Sequence, residues 1–270
     1  KDLETRVGRA LLLRSARGVT LTTDGAAFLG YARQVTEQVA LLEQRYLDRP
    51  PSRRLLGVSA QHYSFVIDAF VRMVKSSGAA EYEFSLRETR TWVIIEDVRT
   101  LRSELGILYR NDFNRNVIDK LLRDSGLAFH PLFLAEPHIF ISRKNPLAAR
   151  ERITLADLAD SPRLTFDQGA NNSFYFAEEI LSTLSSKQEI RVSDRATIFN
   201  LMIGLDGYTI STGIISDDLD PQIVAIPLDV EERIESGWIG HSAFPLTEQA
   251  QRYLAELRTV VAGFGVALLG

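Results

Sequence analysis

Arg14-Ser15-Ala16-Arg17-Gly18-Val19-Thr20-Leu21-Thr22 decides how the chain is organised. A glycine sits in its turn and Val19 and Leu21 alternate after it, the pattern of a β-hairpin. Upstream, Lys1-Asp2-Leu3-Glu4 reads as a helical fragment with one apolar anchor. Downstream, Phe28, Tyr31, Ala32, Val35, Val39, Leu42 and Tyr46 recur every three or four residues and so line one face of a long helix. Thr22 or Thr23 can cap that helix, and Asp24 falls in the first turn, where negative charge is favourable. Pro50-Pro51 enforces its stop. About 25 residues of helix span about 37 Å. An apolar strip of that length cannot be hidden by one small hairpin, so packing against a second copy is expected, with docking on the chain's own later domain as the alternative.

Charge is distributed unevenly. The net charge is −4, yet residues 1–53 carry nine Lys/Arg against six Asp/Glu, while residues 54–270 carry twenty-two against twenty-nine. Between Val7 and Val19 the charged residues are Arg9, Arg14 and Arg17, with Arg6 just before them. Such a cluster can lie along a phosphate backbone and release counterions. Taken alone it is equally a solvated basic face.

The chain has no cysteine, which excludes disulfides and thiolate chemistry. No signal peptide opens it and no apolar run approaches the roughly 18 residues of a membrane span, so the cytoplasm is the default expectation. The polar, proline-containing stretch 48–53 makes a linker. Beyond it, strands and helices alternate. Strands are expected at 55–58, 82–86 and 105–108, and helices at 63–75, 92–102 and 117–123, which implies a largely parallel sheet covered on both faces. A second set follows, with strands at 138–142, 163–166, 189–192, 208–211 and 223–227 and helices at 154–159, 174–184 and 196–205. The segments 238–242 and 247–261 then return to the first sheet.

The run Leu3-Glu4, Val7-Gly8, Leu11-Leu12, Arg14, Arg17-Gly18-Val19, Leu21-Thr22 and Gly25 resembles the winged helix-turn-helix of LysR-type transcriptional regulators. Leu12 stands where that family usually has an aromatic. The resemblance implies that the family's first helices and most of its recognition helix precede Lys1. It also implies an α/β architecture: a partial winged helix-turn-helix and a long linker helix, followed by a two-subdomain, periplasmic-binding-protein-like effector domain. On that pattern residues 1–23 end the DNA-binding domain, 24–53 are linker helix and hinge, and 54–270 bind the effector. The first subdomain would take about 54–132 and 236–270 and the second about 133–235.

In open α/β sheets ligands settle beyond the carboxyl ends of strands, where helix N-termini point N–H groups outward. This nominates Ser59, Gln61 and His62 after the first strand, Thr89 after the second, and Gln168, Asn171, Asn172 and Ser173 in a polar loop. Arg195 and Thr197 at a later helix start complete the set, with Thr212 at a turn the family places in the cleft. The Asn171-Asn172-Ser173 loop is equally a cap with turn residues, and Arg195 is either an anion clamp or the partner of a nearby acid.

The expected ligand is a small polar effector, an anion among the candidates. The expected partners are promoter DNA and a second copy, bound as a dimer through residues 24–47 with a tetramer as the higher assembly. Lys1, Arg6, Arg14, Arg17 and Thr20 would contact DNA, positioning the protein rather than reading bases. The scattered histidines do not make a zinc site, and no G-x-S-x-G, phosphate loop or H-E-x-x-H is present. No catalytic residue, metal or cofactor is therefore assigned. A stand-alone solute-binding protein or an enzyme on the same two-lobed fold are the alternatives.

Overall fold

The computed structural model describes residues 2–15, 18–46, 54–78, 81–171, 173–216 and 220–269. They form two compact units, Lys1–Arg53 and Arg54–Gly270.

The first unit runs α1 (Asp2–Val7), β1 (Leu12–Ser15), β2 (Gly18–Leu21) and α2 (Thr23–Tyr46). The two strands are antiparallel, with Leu12 opposite Leu21 and Ser15 opposite Gly18. Gly18 has φ +122°, a conformation that favours a residue without Cβ. The residues of the resemblance pattern knit the hairpin base. The Glu4 carboxylate accepts from the backbone N–H of Leu11 (2.8 Å) and of Leu12 (3.0 Å). Thr22 caps α2, its Oγ accepting from Gly25 N–H at 2.8 Å while donating to the Ala10 carbonyl. At Gly25 a Cβ would stand 1.9 Å from the Leu11 carbonyl oxygen, so only hydrogen fits. Apart from Leu11, few apolar side chains are covered here: Tyr31, Val35, Val39 and Leu42 on α2 are all exposed.

The second unit begins with β3 (Arg54–Ala60), α3 (Ser64–Ser76), β4 (Tyr82–Glu88), α4 (Thr91–Arg99), β5 (Leu105–Arg110) and α5 (Arg115–Asp124). The chain then crosses on β6 (Leu127–Ala135) into β7 (His138–Ser142), β8 (Arg163–Phe166), β9 (Glu189–Val192), α6 (Arg195–Leu205), β10 (Thr209–Ser211) and β11 (Ile223–Pro227). It returns on β12 (Ile234–His241) and ends in α7 (Glu248–Gly263). One lobe is built on a five-stranded sheet in the order β4-β3-β5-β12-β6, the other on β10-β7-β11. The pair β8-β9 joins the second sheet through a bridge between Arg163 and Tyr208.

Period-two alternation sorts the first lobe into two cores. Leu105, Ile107 and Tyr109 of β5 face α3 and α7, while Leu108 faces α4 and α5. The larger core continues into the second lobe through Phe133, Ile139, Ile210 and Ile226. A separate cluster of Phe140, Leu164, Val192, Ile198 and Met202 packs α6 on its sheet.

Three sequence expectations are corrected. The sheets are mixed rather than largely parallel: β12 runs antiparallel to both β5 and β6, and β7 antiparallel to both neighbours. Residues 127–135, for which no strand is expected, form a nine-residue strand paired along β12. The expected helix at 174–184 is reduced to a 3-10 turn at Phe174–Phe176. The rest of that segment is held by other groups, since Arg163 donates to the carbonyls of Ile180, Leu181 and Leu184 and Leu181 adopts φ +55°.

Candidate functional site

The carboxyl ends of β3 and β4 face the loops that follow β8 and precede α6, and polar residues of the two lobes meet there. His62 is the centre. Its ring stacks flat on Phe166 of the opposite lobe, with centroids 4.0 Å apart and planes 6° from parallel. Glu178 Oε2 accepts from both His62 N–H and Nδ1, each at 2.9 Å. Its Oε1 accepts from Gln168 Nε2 at 3.1 Å, and Gln168 Oε1 accepts in turn from Thr91 N–H at 3.1 Å, at the start of α4. Outside this line Arg90 donates to the carboxylate of Asp167 at 2.6 Å, its guanidinium lying over Gly169 so closely that a Cβ there would clash.

Arg195, at the first position of α6, lies 3.3 Å from Glu88 and 3.6 Å from Asp220. Both contacts are ion pairs without hydrogen-bond geometry, and Glu88 Oε1, Arg195 Nη1 and Asp220 Oδ2 are buried without a hydrogen bond. A cavity of about 20 Å³, room for about one water, is lined by His62, Ser64, Phe140, Phe166, Glu178, Arg195, Phe199 and Thr209 among others. Polar contacts between the lobes and this small cavity occupy the seam together.

Burial shapes the electrostatics. It lowers the tendency of His62 to take a proton, but the neighbouring Glu178 carboxylate outweighs it and the histidine pKa is raised overall. Burial also raises Glu88 and Asp220 above ordinary carboxylates, against the pull of Arg195. Glu179 is the extreme case: burial and the adjacent Glu178 push it up to about 8, although its carboxyl accepts from Phe166 N–H. The Tyr63 phenol is pushed well above its usual value by burial.

Of the residues nominated from sequence, His62, Gln168 and Arg195 come together in this cluster. Gln61 backs it, with Nε2 donating to Thr91 Oγ1 and Oε1 accepting from Tyr63 OH and Tyr109 N–H. Ser59 does not reach it. It lies within β3 with its side chain on the α4 face, bonded to Asp97 (2.7 Å) and Ser103 (2.8 Å) and fully buried. Thr89 is tied by its N–H to the Ala60 carbonyl. Thr197 is engaged in capping α6 with Asp194. Thr212 is buried, its Oγ accepting from Ile214 N–H. Asn171 is exposed, Ser173 caps the 3-10 turn, and Asn172 lies outside the described residues.

Sequence reasoning missed Glu178, Glu179, Asp220 and Thr209. The first two were hidden in an apparently helical stretch. Among the described residues no group of His, Asp and Glu could hold a metal ion, and no helix is long and apolar enough to cross a membrane.

On the first unit, Arg6, Arg14 and Thr20 are exposed, while Lys1 and Arg17 lie outside the described residues. Arg14 pairs opposite Val19 and Leu13 opposite Thr20, so Arg14 and Thr20 project from opposite faces of the ribbon. Arg9 is engaged with Asp24 at 3.1 Å.

Known proteins share this organisation. The chain is similar to the regulator MetR of Escherichia coli K12, 26% identical over 167 residues, covering 61% of this chain and 49% of MetR. It is also similar to AlsR of Bacillus subtilis 168, 27% identical over 218 residues, covering 79% of this chain and 67% of AlsR. The match to MetR thus spans about half of that relative's length. Among solved structures, CbnR, a LysR family transcriptional regulator, superposes with a TM-score of 0.62 at 17% identity, covering 96% of this chain and 86% of CbnR. A full-length OxyR variant from Pseudomonas aeruginosa gives a TM-score of 0.55 at 16% identity, covering 96% of this chain and 82% of OxyR. These structures share the fold. The model of the LysR substrate binding domain matches residues 80–262, well over half of the chain, and the protein belongs to that family.

Proposed function

We propose that this protein is a cytoplasmic, ligand-responsive transcription regulator of the LysR type. Its two lobes take a small polar metabolite in the cleft, and its hairpin and long helix carry the response to promoter DNA. The observation that carries the reading is the polar seam between the lobes. His62–Glu178, Gln168–Thr91, Arg90–Asp167 and Arg195–Glu88 all cross it. A ligand entering there changes the lobes' relative angle by replacing some of these contacts, and its differential affinity for the two arrangements sets the size of the shift.

The exposed strip Tyr31, Val35, Val39 and Leu42 supports self-association through residues 24–47, and a tetramer through the larger unit would follow. Subdomain limits near residues 132 and 236 fit the crossings on β6 and β12. CbnR has been solved in complex with its target DNA, which supports duplex DNA as the partner here. Arg6, Arg14 and Arg17 would serve phosphates, with Lys1 and Thr20 beside them.

The test is two-part. A metabolite panel read by thermal stability should contain a compound that stabilises the protein without being consumed, whereas turnover would favour an enzyme. Full-length protein carrying Arg14→Ala should bind all duplexes more weakly, with the slope of log K against log salt reduced by about 1. Losses that differ between DNA sequences would overturn the assignment of the hairpin.

A further inference from the structure

Residues 174–184 belong to the second lobe but grip the first. Four consecutive residues reach the opposite lobe, each by a different contact. The Tyr175 ring stacks on Phe113, with centroids 4.7 Å apart and planes 16° from parallel. Phe176 stands edge-on to Trp92 at 5.6 Å and packs against the core beneath α4 and α5. The Ala177 carbonyl accepts from Tyr109 OH at 3.1 Å. Glu178 then accepts from His62 N–H and Nδ1.

The residues that follow are anchored on their own lobe. Glu179 accepts from Phe166 N–H, and Arg163 donates to the carbonyls of Ile180, Leu181 and Leu184. The segment is therefore an arm fixed at one end and closed over the seam at the other. Tyr175 is 38% exposed and the Glu178 side chain 3%, so the grip runs from the rim inward.

Tertiary contacts, not local preference, set this conformation. The spacing of the segment favours a helix, yet only Phe174–Phe176 form a 3-10 turn and Leu181 takes φ +55°. A branched residue rarely adopts that backbone. Glu178 and Glu179 also line the cavity, which has room for about one water. A metabolite fits between the lobes only when this wall moves.

We propose that residues 174–184 form a strap that clasps the two lobes, and that its release from the first lobe is the step that opens the cleft. Other cross-seam pairs are weaker holds: Arg90 and Asp167 are 43% and 36% exposed, and water screens their attraction. The regulatory meaning of the strap rests on the cleft being the effector site, whereas the clasp itself does not.

The natural chain has no cysteine, so Asn116→Cys on α5 and Asn200→Cys on α6, both exposed, can carry one spin label on each lobe. Pulsed electron paramagnetic resonance of the labelled full chain, diluted with unlabelled protein, reads the distance between them. The parent should give one distance. Tyr175→Ala, which removes only a half-exposed ring, should add a second distance. Glu178→Ala removes the acceptor of three hydrogen bonds and should raise that second population roughly tenfold. Arg90→Ala should leave the single distance. If Glu178→Ala does not fold, Tyr175→Ala decides alone. A second distance in a strap variant whose circular dichroism is native, with none in Arg90→Ala, supports the proposal. It is overturned if every folded strap variant keeps the single distance, or if Arg90→Ala opens the lobes as far as the strap variants do. Neither DNA nor a metabolite enters the measurement, so failure of the regulator assignment would register separately.

Discussion

The two units solve the same problem in opposite ways. In Arg54–Gly270, apolar side chains from both lobes share an interior, with Phe133, Leu105 and Ile107 fully buried. In Lys1–Arg53, Leu11 is covered but Tyr31 and Val35 stand 67% and 62% exposed. A helix in a protein takes most of its stability from burying its apolar face. The larger unit has that interior within one chain, whereas Tyr31, Val35, Val39 and Leu42 on α2 are left exposed. Exposure divides along the same line: the larger unit holds its polar cluster between its lobes, and the smaller one turns apolar and basic groups outward.

The comparison can be broken first at the core. Phe133→Ala should destabilise the larger unit by about 3–5 kcal/mol, seen as a lower urea midpoint, because the ring joins the cores of both lobes and packs edge-on against Phe65. A change within about 0.5 kcal/mol, typical of surface sites, would mean that the lobes do not share an interior.

Gly25→Ala tests the smaller unit. Its methyl would collide with the Leu11 backbone, which cannot swing aside as a side-chain tip would. A loss of about 1–3 kcal/mol, the usual range for overpacking, is expected in the hairpin–helix junction. Hydrogen exchange at Leu11, Leu12 and Gly25 should report it while leaving β3 and β5 protected.

A smaller effect sharpens the account of the cleft. The Glu179 carboxyl has a pKa of about 8 in the folded protein against an ordinary 4.5. A raised carboxyl pKa means that the folded state holds the proton more tightly. Its contribution is therefore fully present below about pH 4.5 and is lost as pH rises through about 8. Wild type should lose stability across that window, and Glu179→Gln, which cannot ionise, should lose less. Parallel curves for the two proteins would remove Glu179 from the buried cluster.

How far the sequence could be read follows the same physics. Hairpin and rod were legible because their signals are local: a glycine turn, a three-to-four-residue apolar period, a threonine cap. That His62, Gln168 and Arg195 come together was legible because loops at strand ends and helix starts converge. Ser59 was misplaced because β3 runs on through Ala60, and in a strand a single residue decides which face a side chain joins. Glu178 and Glu179 were missed because their segment has helical spacing. Its backbone is nevertheless held by Arg163, a residue from β8 whose role no local pattern reveals. Pairings across the lobes, such as Arg195 with Glu88 and Asp220, are separated by many residues and leave no signature in spacing.

The contrast between an interior that is complete and a rod that is not is tested most directly by sedimentation of wild type and of Val35→Asp. Val35 is exposed within one chain, so its replacement should leave the circular dichroism of a single subunit intact. Wild type should sediment as a dimer or larger at micromolar concentration and Val35→Asp as a monomer. A monomeric wild type, or a variant that associates as well as wild type, would contradict the account.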